Sequence, residues 1–284
     1  MRSAALAIIL SAALGLSACA RAPKTEAFAY RNAVPATIAA PIAPDFEAAP
    51  LAPVAERCRP TEVAAASSLA GRTITVKEIG DIALDPREVV LTFDDGPRPK
   101  TTPAILNALD AAGVKATFLM VGQMARSYPS LVRQVAARGH TIGTHTESHP
   151  NLASLSRADA LTEVFEGERA VAAALTGSGY SRAPFFRFPY LADTPGLRAA
   201  LAERGTVVID VDIDSKDYLR TSGDTVARRT LAALKTRGKG VILFHDIHLR
   251  TAAMLPGLLA ALKQEGYKVV HLAPPGGTPC GRLS

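Results

Sequence analysis

The stretch LTFDDGP, residues 91–97, decides how the rest of the chain is read. A strand-like run, Val89 to Phe93, leads straight into two adjacent carboxylates, Asp94 and Asp95. Gly96 and Pro97 then turn the chain. Neighbouring carboxylates repel at neutral pH, so one must take up a proton or be neutralised by a cation. Asp-Gly and Gly-Pro are also ordinary turn chemistry, and the stretch alone reads equally well as a solvated turn. Outward from it a rhythm appears. Apolar, β-branched segments recur at 88–93, 115–120, 140–144, 184–188, 206–211, 240–244 and 267–271, with helical patterns between most of them. Four of those patterns end in glycine just before the next strand: LDAAG, AARG, AERG and KQEG. A fifth, LKTRGKG, adds Lys-Gly. Glycine there suits the left-handed residue that stops a helix. Strands alternating with helices over about 185 residues predict an α/β fold of about seven parallel strands with crossover helices. The near-continuous apolar strands fit a sheet buried on both faces. Pattern leaves two architectures, an open doubly wound sheet and a (β/α) barrel. No glycine-rich phosphate loop follows the first strand, which disfavours the nucleotide-binding form.

The ionisable residues gather at one end of these strands. Asp94 and Asp95 follow the first, His145 and His149 the third, Arg187 and Tyr190 the fourth, Asp214 and Asp217 the fifth, and His245 ends the sixth. Solvated turns would scatter such residues over both ends. In parallel α/β folds the C-terminal strand ends carry the active site. HTESH puts His145 and His149 four residues apart, and on a helical turn both imidazoles would face one metal ion. With one carboxylate they make three ligands suited to Zn²⁺, with a position left open for water. His140 and His271 read as structural, His248 as a solvated residue with a rim or substrate contact as its alternative, and Met120 and Met124 as packing.

Residues 88–274 resemble the polysaccharide deacetylase domain, carbohydrate esterase family four. TFDDGP (92–97) matches its first motif, HTESH (145–149) its second, RFPY (187–190) its third, DSKDY (214–218) its fourth and LFH (243–245) its fifth, all in family order. The resemblance implies a distorted (β/α) barrel. It implies Asp95, His145 and His149 as metal ligands, for Zn²⁺ or another divalent ion such as Co²⁺ or Ni²⁺. It implies Asp94 as general base, oriented by Arg187, and His245 as general acid, partnered by Asp217. The backbone of Tyr190 would help hold the oxyanion, and Leu243 would line the acetyl pocket. Two positions depart from the family pattern: Tyr218 stands where Trp is common, at the pocket wall, and Phe188 replaces the usual Pro.

The 284 residues are 48% hydrophobic, enough for a large core, and the net charge of +6 is spread without a basic run. That suits anionic surfaces and gives no nucleic-acid signature. Met1-Arg2 and the apolar stretch Ala4 to Leu16 read as an export signal. It ends in LSAC (16–19), which resembles a bacterial lipobox and makes Cys19 the expected lipidation site and membrane anchor. Ala20 after the Cys resembles sorting to the outer membrane, on the periplasmic side in a Gram-negative cell. Residues 20–57, rich in Ala and Pro, read as a semi-stiff tether. Residues 58–87, with a strand expected at Thr73 to Ile79, read as an N-terminal cap, and 275–284 as a tail. Cys58 and Cys280 would be bridged in an oxidising compartment, or remain two thiols. The expected function is metal-dependent removal of N-acetyl groups from an envelope or extracellular polysaccharide, peptidoglycan first, then a chitin-like oligomer or exopolysaccharide. Hydrolysis of another carbon–nitrogen bond is a second reading, and a catalytically inactive glycan-binding lipoprotein is the third.

Overall fold

In a computed structural model that describes residues 68–276, the first four residues of the quoted stretch end a strand buried at every position, Glu88–Asp94. The expectations for Cys19, Cys58, Cys280, the signal, the tether and most of the tail lie outside the described residues. The strands are β1 (Ala70–Thr75), β2 (Glu88–Asp94), β3 (Thr117–Met120), β4 (Thr141–Thr144), β5 (Phe185–Phe186), β6 (Val207–Val208), β7 (Ile213–Asp214), β8 (Gly240–His245) and β9 (Lys268–Ala273). The helices are α1 (Thr101–Ala111), α2 (Gly122–Ser127), α3 (Pro129–Ala137), α4 (Arg157–Leu175), α5 (Pro195–Ala202), α6 (Gly223–Arg237) and α7 (Leu249–Gln264). All five predicted stop glycines, Gly113, Gly139, Gly205, Gly238 and Gly266, have positive φ. At Gly238 (φ 82°) the amide closes α6 by donating to the Leu234 carbonyl.

Every strand pairing is parallel. β2 pairs along one edge with β8, and β3, β4, β5 and β6 follow from its other edge. β6 and β7 are two halves of one bent segment. The first half pairs with β5 and the second with β8, which closes a distorted barrel. β9 enters where β2 begins, pairing at Glu88 and Val89 before β3 takes over at Thr92. The expected 206–211 strand is thus two short pieces. The strand expected at Thr73 to Ile79 is shifted towards the N-terminus. It lies at Ala70–Thr75 and pairs with β9, so the segment before residue 88 contributes a strand to the main sheet.

The alternation along β2 builds two cores, as a period of two requires. Leu91 and Phe93 face the helices, in a cluster with Ile105, Leu109, Leu255 and Leu258, and the Phe93 ring stacks on Phe118 and Phe244. Val90 joins a second cluster, drawn from strands and loops, with Leu119, Phe185, Val207, Val241 and Val270. These fill the barrel. Thr92 and Asp94 continue the inward row, so apolar packing gives way to polar groups towards the C-terminal mouth. Pairing of Asp94 with His245, and of Met120 with Thr144, brings the strand ends level there.

Candidate metal and acid–base site

The two adjacent aspartates find different partners. Asp94, the last residue of β2, points inward and is buried. Arg187, just past β5 and only 1% exposed, donates from Nη1 to Asp94 Oδ1 (2.8 Å) and to Thr92 Oγ1 (2.8 Å). Its Nε donates to the Ile209 carbonyl (3.0 Å) and its Nη2 to that of Asp210 (3.4 Å). A buried guanidinium is tolerated only when its donors are satisfied, and here four acceptors meet it. Burial raises the pKa of Asp94, while Arg187 and His245 pull against that shift. Asp95 turns away with φ of 77°, a left-handed conformation uncommon outside glycine.

Asp95 Oδ1 is buried and has no hydrogen-bond partner. His149 Nε2 lies 3.2 Å from it and His145 Nε2 3.6 Å. The three ligand atoms fall within 4.8 Å of one another. Ligands about 2.0–2.1 Å from a tetrahedral Zn²⁺ stand about 3.3–3.4 Å apart, so the spacing suits a shared ion. The His145 ring is oriented for this. Its Nδ1–H donates to the Arg187 carbonyl (2.7 Å), leaving the Nε2 lone pair towards Asp95. Burial first, with the neighbouring His149, lowers the His145 pKa to about 3 against the pull of Asp95, so the imidazole is neutral, the form a metal would require. The donor set fits a divalent cation that accepts imidazole and carboxylate.

The expected helical turn at HTESH is not formed. Residues 145–149 make a loop with positive φ at Thr146 (68°) and His149 (62°). The His149 amide donates to Thr146 Oγ1 (2.9 Å). Glu163 of α4 accepts from both the amide and the hydroxyl of Ser148 (2.9 Å each). Gly167 lets α4 approach closely, since a Cβ there would collide with the Thr146 carbonyl. The three candidate ligands therefore converge through a loop pinned by a helix.

His245 ends β8 across from Asp94. Its Nδ1–H donates to Asp217 Oδ1 (2.6 Å), and its amide to Asp217 Oδ2 (2.9 Å). Thr251 Oγ1 also donates to that Oδ2 (2.6 Å). Burial alone would lower the His245 pKa. The hydrogen bond and charge of Asp217, with Asp94 and Asp95, outweigh it and raise the pKa to about 9. Burial also opposes ionisation of Asp217, yet the bonds from His245 and Thr251 hold its pKa below the usual value. The pair is an imidazolium on a carboxylate at neutral pH.

The remaining candidates surround this centre. Tyr190 (φ 59°) is exposed, and its ring meets His149 edge to face at 4.7 Å. Tyr218 stands edge-on to His245 (5.7 Å), and its hydroxyl donates to Asp214 Oδ2 (3.1 Å). Asp214 itself makes a turn, accepting from the Lys216 amide. Leu243 is buried in register with Thr92 and Asp214. Phe188 is absorbed by packing against Phe186, beside Leu152 and Leu197. His140 takes the Ala116 amide on Nδ1, and His271 contacts Thr141; burial lowers both pKa values, to about 3 and about 4. Sequence reasoning did not single out Thr92, Glu163, Thr251 or Asp246. Asp246 is buried, accepts from Thr102 Oγ1 (2.6 Å), and has its pKa raised to about 7 by burial and by the nearby Asp95 and Asp94. Its position directly after His245 was the available signal.

The family model described as polysaccharide deacetylase matches residues 81–209. The chain is 33% identical over 186 residues to a peptidoglycan-N-acetylglucosamine deacetylase of Listeria monocytogenes, covering 66% of this chain and 38% of that protein. It is 31% identical over 197 residues to a chitooligosaccharide deacetylase of Sinorhizobium fredii, covering 65% and 89%. Among solved structures, a peptidoglycan deacetylase of Bdellovibrio bacteriovorus superposes with a TM-score of 0.63 at 33% identity, covering 76% of this chain and 61% of that one. The chain thus spans well under half the length of the Listeria relative.

Proposed function

Because the chain belongs to the polysaccharide deacetylase family, we propose that it hydrolyses N-acetyl groups on an N-acetylated glycan, with peptidoglycan as the first candidate and release of acetate. The observation that carries this reading is the pairing of two oppositely prepared groups across one three-ligand cluster. Asp94 is a buried carboxylate on Arg187, and His245 is an imidazolium on Asp217. A binding module has no need of such a pair. Amide hydrolysis needs both a base for the attacking water and an acid for the leaving nitrogen.

Asp95, His145 and His149 would hold a divalent cation, Zn²⁺ first and Co²⁺ or Ni²⁺ as alternatives. Such an ion supplies Lewis-acid polarisation of the carbonyl and a nucleophile at neutral pH. Arg187 holds Asp94 Oδ1, which leaves Oδ2 to take the proton of the water attacking the acetyl carbonyl carbon. Asp217 holds His245 Nδ1, so Nε2 is the nitrogen left to give its proton to the amide nitrogen as the carbon–nitrogen bond breaks. The products are acetate and a free amine. Tyr190 and Tyr218 lie on the exposed rim, where a sugar ring would rest.

The test uses full-length chain in detergent with acetylated chitooligosaccharides and muropeptides. Acetate release should stop with a chelator and return with Zn²⁺. Preference for muropeptides supports the peptidoglycan reading; preference for chitooligosaccharides supports the second, which the Sinorhizobium relative favours. Glycan binding without acetate release in any divalent metal would leave the inactive binding protein in its place. We also propose that LSAC makes this a lipoprotein of the cell envelope, attached through Cys19 and facing the periplasm from the outer membrane in a Gram-negative cell. Radiolabelled palmitate should enter the wild-type chain and not Cys19→Ser; equal labelling would end that assignment.

A further inference from the structure

A buried acid that the mechanism above does not use lies behind Asp95. Asp246 is 1% exposed, and its backbone amide donates to the Asp94 carbonyl (3.2 Å). Its carboxyl lies against the turn that presents Asp95. Oδ2 accepts from Thr102 Oγ1 (2.6 Å), and that hydroxyl oxygen accepts in turn from the Arg98 amide (2.7 Å). The carboxyl also packs on the Cα of Gly96, where any Cβ would collide with both oxygens. From the other side, the Gly96 carbonyl accepts from the Val121 amide (3.1 Å). Residues 95–98 are therefore held between β8, α1 and the start of α2. The hold has a purpose in the local backbone. Asp95 is a non-glycine residue at φ 77°, a conformation that persists only where its surroundings enforce it.

We propose that Asp246 is a positioning residue for Asp95: through Thr102 and Gly96 its carboxyl fixes the 95–98 turn so that Asp95 Oδ1 stays between the two imidazoles. The inference rests on the reading of Asp95, His145 and His149 as a metal site. It assigns Asp246 no contact with the metal, the substrate or the reacting atoms. Outer groups that orient a ligand commonly change metal affinity by about 10–100-fold when removed. Asp246→Ala deletes the acceptor. Thr102→Val keeps the shape of the side chain and deletes the hydroxyl. Asp246→Asn keeps an accepting oxygen at the same place.

Zn²⁺ affinity of the full-length chain, measured by competition with a chromophoric chelator, decides the matter, with folding followed by circular dichroism. Asp246→Ala and Thr102→Val should each bind Zn²⁺ about 10–100-fold more weakly than wild type. Asp246→Asn should stay within about threefold, because the hydrogen bond from Thr102 survives. The visible spectrum of the Co²⁺-loaded chain should shift in Asp246→Ala and return to the wild-type form in Asp246→Asn. If Asp246→Ala fails to fold, Thr102→Val alone carries the test. Wild-type affinity in Thr102→Val, or an Asn variant as weak as the Ala variant, overturns the positioning role. Wild-type chain that binds Zn²⁺ no better than Asp95→Ala overturns the metal-site reading instead.

Discussion

Asp94→Asn should keep its Zn²⁺ affinity within about threefold of wild type while kcat for acetate release falls by about 10²–10⁴-fold, the usual worth of a positioned general base. The two halves of this expectation have separate physical causes. Asp94 Oδ1 is committed to Arg187, and the cluster of mutually close ligand atoms is made by Asp95, His145 and His149 without Asp94. An amide has the shape of the carboxylate, and its oxygen can still accept from Arg187. The guanidinium also keeps Thr92 Oγ1 and the carbonyls of Ile209 and Asp210. What the amide cannot do is take a proton from water. Asp95→Ala should behave in the opposite order, losing metal first and turnover as a consequence. Metal content after dialysis and kcat, measured on the same samples, separate the two variants. Full turnover by Asp94→Asn would remove it as the base. Loss of metal would make both aspartates ligands.

The residue types gathered at the candidate site were more legible than the backbone that brings them together. Stop glycines and β-branched runs carry local information, and each expected strand segment and stop glycine has its counterpart in the barrel. β1 was harder, because it is an edge strand exposed along most of its length, and AGRTIT has no apolar run to mark it. The bend between β6 and β7 was hidden because β-branched residues keep recurring through VVIDVDI, residues 207–213, past the break. Four-residue spacing in HTESH fits a helical turn and a loop equally; the Glu163–Ser148 bonds and the close approach at Gly167 favour the loop, and both come from a distant helix. Asp246 shows the same difficulty at its strongest. Nothing in its neighbours along the chain shows that it is buried, and its partner Thr102 stands 144 positions away. Ligand identity is a property of residue type. Burial is a property of the assembled fold.

Asp217→Asn should move the alkaline limb of kcat/KM from near pH 9 to below the ordinary histidine pKa of about 6.5, and should cost about 10²-fold or more in rate at pH 8. His245 can act as an acid only while protonated, so activity falls as pH rises through its pKa, which the structure holds at about 9. Burial works against the charged ring, and the Asp217 carboxylate is the largest group opposing that cost. An amide leaves the desolvation in place and removes the charge, so the proton leaves at lower pH. The same shift appears in stability. A folded-state pKa raised from about 6.5 to about 9 contributes roughly 3 kcal/mol, fully present below pH 6.5 and lost as pH climbs to 9. Wild-type urea midpoints should therefore drop between pH 6 and pH 9.5, and this slope should largely vanish in Asp217→Asn. Thr251 and the His245 amide still find an oxygen on the amide side chain, which limits the structural cost of the substitution. A wild-type profile whose alkaline limb sits near pH 6.5, or one left in place by Asp217→Asn, would show that the imidazolium is not the group donating to the leaving nitrogen.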